Sequence, residues 1–584
     1  MDEGWAARKR RWGNRLAARG ARSAPAAGGF TTMPEPRTVG FFARGRQLAS
    51  GNFLLAGHMV ETLQPWDIDP PSLGFAADLH GMGWLDHLAA TGDRAARLGA
   101  QGWVSDWISR FGTGDGPGWE PDLTGRRVLR WLHHAVFLTA GRSDEENRPY
   151  FAALGRQTAF LGRRWAAADA GLPRFEALTG LLSASVALQG MAEYRAPATA
   201  GLARACRDDI TPDGGLPSRN PEALLEIFTL LGWASLALKE AEADIPAPLE
   251  TALSRIAPCL RTLRHADGGL ARFHGGGRGL EGRLENALSI AAVPVRPGRA
   301  MAMGFARLEG GRTTVLVDAE APPKGAAAHH AHASMLAFEL TSNRRPLIVN
   351  SGSGVPFGPE WEKAGRATNS HSTLSLDGWS SARFGRASRP EEGGAPLVEG
   401  PSLVTLHRTD ERDASSLLLS HDGYVATHGL THIRTLSLGQ EGRVLLGEDT
   451  LAALEPAHRT IFEARLAKDR IRGISYALRF HLHPDADASL DMNGSAVSVA
   501  LPSGEIWVFR FDGPGRLSLD PSVYLEKGRL APRPGQQIIV RASIREETAQ
   551  INWTLAKAQD TPLAIRDIGR DDELALPRDL FAYD

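Results

Sequence analysis

The chain has 584 residues, of which 42% are hydrophobic and 23% are charged, a balance typical of a soluble globular protein with two or more domains. Its 66 basic and 67 acidic residues give a net charge of -1, so the protein has no overall electrostatic field that attracts nucleic acid. This overall balance is still compatible with a local basic groove that binds an acidic polymer. Cys206 and Cys259 form neither a disulfide framework nor a CxxC metal pattern, and we expect buried thiols.

The first 40 residues are rich in arginine, alanine and glycine, and we expect residues 1–40 to be a basic, flexible tail. They contain no apolar run of signal-peptide length, which predicts a cytoplasmic protein; a periplasmic location would need another export route. The longest uncharged apolar run, residues 227–238, is too short to cross a bilayer, so we expect a core helix and no membrane span.

Residues 41–285 carry Ala, Leu, Arg and Trp three or four positions apart, which predicts short helices paired as hairpins. Because no strict repeat is present, an (α/α) toroid is favoured over a regular solenoid. The chain then turns Gly- and Pro-rich, and residues 286–300 are expected to be a linker. Residues 301–556 contain short alternating runs between turn residues, which predicts an antiparallel β-sandwich, followed by a charged tail, residues 557–584. The predicted fold class is α+β with two domains.

One stretch, residues 326–378, combines several histidines with short apolar runs. If its first run is extended, strand periodicity places His330 and His332 on one face, and a second run presents His371 in the same way. Imidazoles from two strands would then converge on a metal ion or on a substrate. The alternative interpretation is that they are half-exposed strand residues with no shared role.

Several polar residues of the helical half are candidates for the wall of an interdomain cleft. Arg174 and Glu176 stand at a predicted helix start, Arg219 and Asn220 lie in a turn-rich loop, and His265 precedes an Asp-Gly turn. Guanidinium groups bind carboxylates through two parallel hydrogen bonds, which favours the arginines as substrate contacts. Helix capping and turn formation are the alternative explanation for the same residues.

The strand-rich half adds further candidates. Arg479 and His481 alternate with apolar residues, so they belong either to a substrate wall or to a solvated outer face. Tyr424 supplies a phenol, and Arg366 lies in a long loop placed to cover a site. The sequence has no phosphate-binding loop, HExxH helix or nucleophile elbow, which disfavours phosphoryl transfer and serine hydrolysis.

Three segments of this stretch resemble the motifs of the heparinase II/III family of polysaccharide lyases: His330-Ala-His332-Ala-Ser334, Leu347-Ile-Val-Asn350-Ser-Gly352, and Arg366-Ala-Thr368-Asn-Ser-His371-Ser-Thr373 followed by Asp377-Gly378. The resemblance implies a helical toroid followed by a β-sandwich, a zinc ion surrounded by His332, Asn350 and His371, and a catalytic role for His330. The family pattern has aspartates at the positions of Ser334 and Asn350, and an amide carbonyl binds zinc less tightly than a carboxylate. The family's Asn-His pair and Tyr segment of the helical half have no counterpart here.

The same resemblance implies a lyase that cleaves a uronic-acid-containing polysaccharide or oligosaccharide by β-elimination. The reaction needs a group that neutralises the C6 carboxylate, a base for the C5 proton and an acid for the departing O4. The predicted roles are neutralisation by Arg219, Arg174 or Asn220, proton abstraction by His330, and proton donation by Tyr424 or His371.

Two alternatives stay open. A glycoside hydrolase would use carboxylates such as Glu176 and Asp213 in the same cleft. A glycan-binding or envelope-assembly protein would have lost the catalytic set. The expected partner is an acidic polysaccharide or oligosaccharide, zinc is the candidate cofactor, and the oligomeric state is open, with a homodimer among the options.

Overall fold

The computed structural model of the chain describes residues 2–114, 116–294, 298–376, 378–386, 394–468 and 471–562. Helices dominate up to residue 291 and strands from residue 301, in the predicted order. The helical half also contains one hairpin, formed by β1 (Asn52–Leu55) and β2 (His58–Glu61). Its helices are α1 (Asp2–Gly20), α2 (Phe42–Ala49), α3 (Leu73–Gly81), α4 (Leu85–Ala90), α5 (Arg94–Phe111), α6 (Pro121–His133), α7 (Ala135–Thr139), α8 (Asp144–Arg164), α9 (Leu172–Ala187), α10 (Arg195–Asp209), α11 (Pro221–Glu240), α12 (Ala247–Thr262) and α13 (Arg283–Ala291).

Helices α6 and α9 pack with their backbones nearly touching. A Cβ atom on Gly180 would lie 2.6 Å from the Cα of Gly125, and one on Gly125 would lie 2.7 Å from the Cα of Ala177. Side chains do not tolerate such contacts with backbone, so this approach requires glycine on both helices. Across the same interface, Arg126 Nε and Nη2 donate to the carboxylate of Glu176 at 2.9 and 3.1 Å.

The structure differs from the expectation of a flexible N-terminal tail. Residues 2–20 form α1, which packs against α8. Ala18 and Ala21 are buried, and Arg164 Nε of α8 donates to Asn14 Oδ1 at 2.7 Å. The small and amide side chains supply a packing face that the basic composition conceals, because the arginines beside them remain at the surface.

The strands of the strand-rich half are β3 (Met301–Ala302), β4 (Phe305–Gly310), β5 (Thr313–Asp318), β6 (Phe338–Ser342), β7 (Arg345–Val349), β8 (Leu374–Leu376), β9 (Arg383–Phe384), β10 (Leu397–Glu399), β11 (Val404–Asp410), β12 (Ala414–Tyr424), β13 (Leu430–Gly439), β14 (Val444–Ala452), β15 (Ile474–Leu482), β16 (Asp487–Asp491), β17 (Ala496–Ala500), β18 (Ile506–Asp512), β19 (Arg516–Tyr524), β20 (Arg533–Ile544) and β21 (Thr548–Gln559). Three short helices lie between strands: α14 (Pro359–Arg366), α15 (Val425–His428) and α16 (Pro456–Leu466). Most of the strands belong to two large antiparallel sheets, as expected for a sandwich. One has the order β11-β12-β13-β14-β21-β18-β17-β16, and the other has the order β19-β20-β15-β7-β6-β5-β4-β3 with β8 paired to β15. Strands β9 and β10 form a separate two-stranded sheet.

Aromatic side chains fill the space between the sheets. Phe338 and Trp553 stack with their ring centroids 5.8 Å apart, and Phe480 meets Trp553 edge-on at 4.9 Å. Phe480 alternates along β15 with outward-facing residues, and its neighbours Leu478 and Leu482 are also buried. The apolar face predicted for this run is therefore the core face of the strand.

The change from helices to strands lies within the expected linker, but residues 286–291 of that linker belong to α13. The last helix before the sandwich ends at Ala291 and the first sandwich strand begins at Met301, although residues 295–297 of the expected linker lie outside the described part of the chain. The first residues of the expected C-terminal tail belong to β21, and residues 563–584 lie outside the described part.

Helix α11 has the length and composition of a membrane-crossing helix, and no second one was found among the described residues. Its apolar window is 78% buried inside the protein, as expected for a core helix. Cys206 and Cys259 are buried free thiols, as predicted.

Candidate functional site

The histidines of the central stretch meet at the boundary between the two halves, but on loops rather than strands. Residues 325–329 form a 3-10 helix, and the next strand begins only at Phe338. His332 Nδ1 lies 3.1 Å from His371 Nε2, and the ring of His274 from the helical half lies 6.1 Å from that of His332. The structure thus joins two predicted residues and adds His274; we call these three the histidine cluster.

Hydrogen bonds fix the protonation of this cluster. Burial lowers the pKa of His371 to about 4 and that of His332 well below its usual value, so both imidazoles are neutral at neutral pH. His371 Nδ1 lies 2.8 Å from the carbonyl of Ala367, which can only accept, so this nitrogen carries the proton. The Nε2 lone pair of His371 therefore accepts the Nδ1–H of His332.

Both ends of the Asn350 amide are also in use. Its Oδ1 accepts the backbone N–H of Ser372 at 3.0 Å, and its Nδ2 lies 3.5 Å from Glu339 Oε1. Burial would raise the pKa of Glu339, but the Arg272 guanidinium and a hydrogen bond from His265 lower it to about 2. Asn350 therefore sits beside an ionised, fully buried carboxylate.

The residues predicted to hold zinc do not fit a zinc ion in this arrangement. A zinc ligand must direct a lone pair at the metal, whereas the Nε2 lone pair of His371 accepts the proton of His332 Nδ1. The Asn350 carbonyl already accepts a backbone N–H. In the described ranges, no three His, Cys, Asp or Glu side chains are grouped so that they could hold a metal ion.

Arg219, predicted to contact substrate, instead joins the two halves of the protein. Its Nη2 donates to Asp318 Oδ1 of β5 at 2.6 Å and to the carbonyl of Gly304 at 2.8 Å, and its Nε donates to that of Met303 at 3.0 Å. Ser334 Oγ donates to the other oxygen of Asp318 at 2.6 Å. Because Arg219 is buried and its donors are used, it is not available to a substrate.

His265 forms a second buried interdomain contact. Its Nδ1 lies 3.0 Å from Thr314 Oγ1, and its Nε2 lies 3.3 Å from Glu339 Oε2. Asn220 caps α11, because its Oδ1 accepts the N–H of Ala223 at 3.0 Å. The capping and packing alternatives therefore describe both residues better than substrate binding does.

Tyr424, predicted as an acid, is fully buried inside the sandwich. Its hydroxyl donates to the carbonyl of Leu374 at 3.1 Å, and burial raises its pKa, so it cannot reach a substrate. Arg366 is buried too and donates to the carbonyls of Ala328 and Ala331, each at 2.8 Å, rather than covering a cleft. His330, the predicted base, is exposed at the surface, and desolvation by the atoms packed around its ring, together with the nearby Arg366 guanidinium, lowers its pKa.

The remaining predicted contacts are local. His481 is buried, with Nδ1 at 2.7 Å from Ser522 Oγ, and is not part of a solvated face. Arg479 Nη1 donates to Gln537 on the adjacent strand at 3.2 Å. Arg174 is half-buried and donates to the carbonyl of Ala168 at 3.1 Å.

Glu176 and Asp213, the carboxylates of the hydrolase alternative, have separate structural partners. Burial raises the pKa of Glu176 against the effect of Arg126, which holds it through two hydrogen bonds. Asp213 Oδ2 accepts the backbone N–H of Met303 at 2.9 Å. Neither carboxylate lines the cavity between the helical half and the sandwich, so the structure does not bring the two together there as a catalytic pair.

A cavity of about 410 Å³ opens between the helical half and two loops of the sandwich. Helices α2, α3, α4, α6 and α13 and the β1–β2 hairpin form most of it, and Pro356 and Lys527 close it from the sandwich side. We call it the basic cavity, because five basic side chains line it against two aspartates. Its charged and imidazole residues are Arg44, Asp78, Asp86, His87, Arg126, Arg130, Arg283 and Lys527.

Most of these cations have an acidic neighbour. Arg126 lies 3.7 Å from Asp78 in addition to its bonds with Glu176, and Arg130 Nε lies 3.4 Å from Asp86 Oδ2. Lys527 pairs with Glu222 and Arg283 pairs with Glu226.

Arg44 is the exception. Within the described part of the chain it makes no hydrogen bond or ion pair, although its guanidinium lies 5.7 Å from the ring centroid of Phe41. Burial and the neighbouring Arg529 lower its pKa, and the Glu526 carboxylate opposes this effect. The basic cavity therefore contains one half-buried guanidinium that no carboxylate of the described residues contacts directly.

Two further groups in the basic cavity have altered acid–base behaviour. Burial raises the pKa of Asp78, even though Arg126 opposes this effect. Burial and Arg44 lower the pKa of His87 to about 4, and its Nδ1 accepts the N–H of Phe41 at 3.1 Å. His87 is therefore neutral at neutral pH, with its remaining proton on Nε2.

Sequence reasoning missed this cavity. Its polar residues come singly from segments far apart in the chain, so no motif marks them. The sequence analysis named Glu176, the partner of Arg126, from its place at a predicted helix start, but it did not identify the cavity itself.

Comparisons with known proteins agree with the fold. The sequence pattern described as heparinase II/III-like, C-terminal, matches residues 293–554. FtsZ-localized protein C of Caulobacter vibrioides (strain NA1000 / CB15N) is 32% identical over 539 residues, which are 91% of this chain and 91% of that protein.

Two solved structures share the architecture at low sequence identity. Heparinase III superposes with a TM-score of 0.63 at 13% identity, over 84% of this chain and 79% of that one. A mutant of the heparan sulfate lyase HepC from Pedobacter heparinus gives 0.56 at 15% identity, over 89% and 83%. The predicted toroid-and-sandwich fold is confirmed, and the chain belongs to the heparinase II/III-like family of polysaccharide-lyase-like proteins.

Proposed function

We propose that the protein binds an acidic polysaccharide or oligosaccharide in the basic cavity and cleaves it by β-elimination at a uronic acid. The observation that carries the proposal is Arg44, a half-buried guanidinium that lines the cavity without an acidic partner in the described residues. An unpaired buried cation costs free energy, and a carboxylate or sulfate of a bound sugar would offset that cost.

The architecture supports an extended ligand. The cavity lies between helices of the toroid and loops of the sandwich, where Pro356 and Lys527 face Arg44 and Arg126. Binding sites commonly form between domains, and a positively charged cleft raises the local concentration of an anionic ligand. Affinity should therefore fall as salt concentration rises.

Elimination needs groups that the basic cavity can supply. Arg44 would neutralise the C6 carboxylate, which acidifies the C5 proton. Asp78, whose pKa burial raises, would take that proton, and the C4–O4 bond would break as the C4–C5 double bond forms. The protonated Asp78 would then return its proton to the departing O4, and His87 Nε2–H would donate to the bound sugar.

A panel of uronate-containing polysaccharides tests both parts of the proposal. Binding is measured by isothermal titration calorimetry, and elimination by the ultraviolet absorbance of the unsaturated uronate that it produces. Arg44→Met should weaken binding about tenfold through loss of one charge-assisted contact. Arg46→Met is the matched control, because Arg46 is exposed on the same helix and does not line the cavity. Equal affinity of the two variants would remove Arg44 from the site.

A second candidate is glycan recognition without turnover. Tyr424 is buried and no tyrosine is among the described residues that line the cavity, and the 32% identical relative is named for its localization with FtsZ rather than for a reaction. Binding without unsaturated product supports this candidate, and new reducing ends without ultraviolet absorbance support hydrolysis. Fluorescence microscopy of the tagged protein tests the predicted cytoplasmic location and any placement at the division site.

A further inference from the structure

We infer that the histidine cluster, Asn350 and their buried acidic neighbours form a metal-free clasp that holds the helical half against the sandwich, and that zinc is not a resident cofactor of this chain. The inference is independent of the basic cavity, because it concerns different residues and a different measurement. Its evidence lies in the direction of each hydrogen bond and in the balance of buried charge.

The hydrogen bonds run without interruption from one half of the protein to the other. The side chain of His332 donates to His371, and its backbone N–H donates to Nδ1 of His274 at 3.1 Å. The remaining proton of His274 is then on Nε2, which lies 3.6 Å from Asp318 Oδ2 without forming a hydrogen bond within the described residues. The lone pairs of His371 Nε2 and His274 Nδ1 are thus both used by protein donors, whereas a metal ligand needs a free lone pair.

Charge balance explains why position 350 holds an amide. The buried boundary already contains two carboxylates, Asp318 and Glu339, and two guanidinium groups, Arg219 and Arg272, that pair with them. Aspartate in place of Asn350 would add a third buried carboxylate about 3.5 Å from Glu339, a cost that a divalent cation would offset. Asparagine keeps the hydrogen bonds and avoids that charge, so it suits a boundary without an ion.

Ser334 follows the same logic. The family pattern has an aspartate there, but in this chain the hydroxyl donates to Asp318 at 2.6 Å. An acid at this position would face the Asp318 carboxylate instead of donating to it. Both departures from the family pattern therefore remove a negative charge next to an existing one.

Metal analysis of the purified full-length protein is the first test. Elemental analysis after gel filtration should find far less than one zinc per chain, and neither a chelator nor added zinc should shift the thermal midpoint. Zinc close to one equivalent, or a chelator-dependent fall in the midpoint, would overturn the inference.

Asn350→Asp provides a second test in the opposite direction. The variant should have a lower thermal midpoint than the wild type without metal. Added zinc should restore it, because the new carboxylate supplies the missing charged ligand and zinc then replaces the hydrogen bond between His332 and His371. Adding His371→Ala to this variant should abolish the rescue. A variant as stable as the wild type without metal, or one that zinc does not rescue, would contradict the charge argument.

Asn343→Asp is the matched control. Asn343 Nδ2 donates to Glu505, so this change also places a carboxylate beside a glutamate, but no histidine is part of that contact. It should lower the thermal midpoint without any zinc response. A zinc response equal to that of Asn350→Asp would mean that the rescue is not specific to the histidine cluster.

Discussion

The histidine cluster and the basic cavity lie on the same interdomain boundary but use charge in opposite ways. Around the cluster, each buried charge has a protein partner: Arg219 pairs with Asp318, and Arg272 pairs with Glu339. In the basic cavity, Arg44 has no acidic partner within the described residues. A neutralised buried charge contributes to the fold, whereas an unpaired one is available to a ligand. Charge balance, more than density of histidines, separates the structural site from the candidate binding site.

The largest expected effect on stability comes from removing one of the buried ion pairs around the histidine cluster. Arg219→Ala should lower the free energy of unfolding by about 3–5 kcal/mol, because it leaves Asp318 buried without its guanidinium. Denaturant unfolding measures the loss. Arg174→Ala is the control and should cost less than about 1 kcal/mol, since its guanidinium is half-buried and donates to a backbone carbonyl. Similar losses in both variants would show that the ion pair between Arg219 and Asp318 contributes no more to the free energy of unfolding than a half-buried surface arginine does.

Acid should weaken the same boundary. The folded-state pKa of Glu339 is about 2 against an ordinary 4.5, so its contribution is fully present above pH 4.5 and is lost as the pH falls toward 2. The shift corresponds to about 3 kcal/mol. Unfolding free energies measured across this range should fall less steeply for Glu339→Gln than for the wild type. Parallel curves would show that another group controls the acid response.

A smaller loss of stability tests whether Tyr424 has a structural role instead of a catalytic one. Tyr424→Phe should lower the free energy of unfolding by about 1 kcal/mol, through loss of the hydrogen bond to Leu374, and should leave glycan affinity and turnover unchanged. Tyr476→Phe is a matched control, because the buried Tyr476 hydroxyl has no hydrogen-bond partner among the residues that the structure describes, so its removal should cost nothing. Loss of turnover in Tyr424→Phe alone would return this tyrosine to the reaction.

The smallest effect concerns the cavity side. Arg44→Met should raise the free energy of unfolding by about 0.5 kcal/mol or less, because it removes a half-buried unpaired cation, while it weakens glycan binding. Arg46→Met should leave both quantities unchanged. Thermal unfolding without ligand measures the difference, and destabilisation by Arg44→Met would mean that the guanidinium supports the fold rather than a ligand.

The fold was predictable because periodicity is a local property. The change from helical spacing to strand alternation near residue 300 marks the two halves, and Phe480 faces the core as the alternation in its strand predicts. Helix α1 was missed because a composition rich in arginine conceals the face on which Ala18 and Ala21 pack.

The candidate site was far less predictable, since burial and pairing are set by tertiary structure. Arg219 and Glu176 are charged residues in plausible positions, but their roles depend on Asp318 and Arg126, which lie 99 and 50 residues away along the chain. The motif histidines were found together, yet the sequence does not reveal which of their nitrogens carries a proton. Arg44 has no motif around it, and only the structure shows that it lacks a partner.

The contact between Gly125 and Gly180 influences the basic cavity, although neither glycine lines it. Arg126 follows Gly125 directly, and its partner Glu176 lies one helical turn before Gly180, so the separation of the two helices sets how far the Arg126 side chain extends toward Asp78. A single methyl group on either helix would therefore force the two helices apart and shift Arg126 within the basic cavity, with every residue that lines the cavity unchanged.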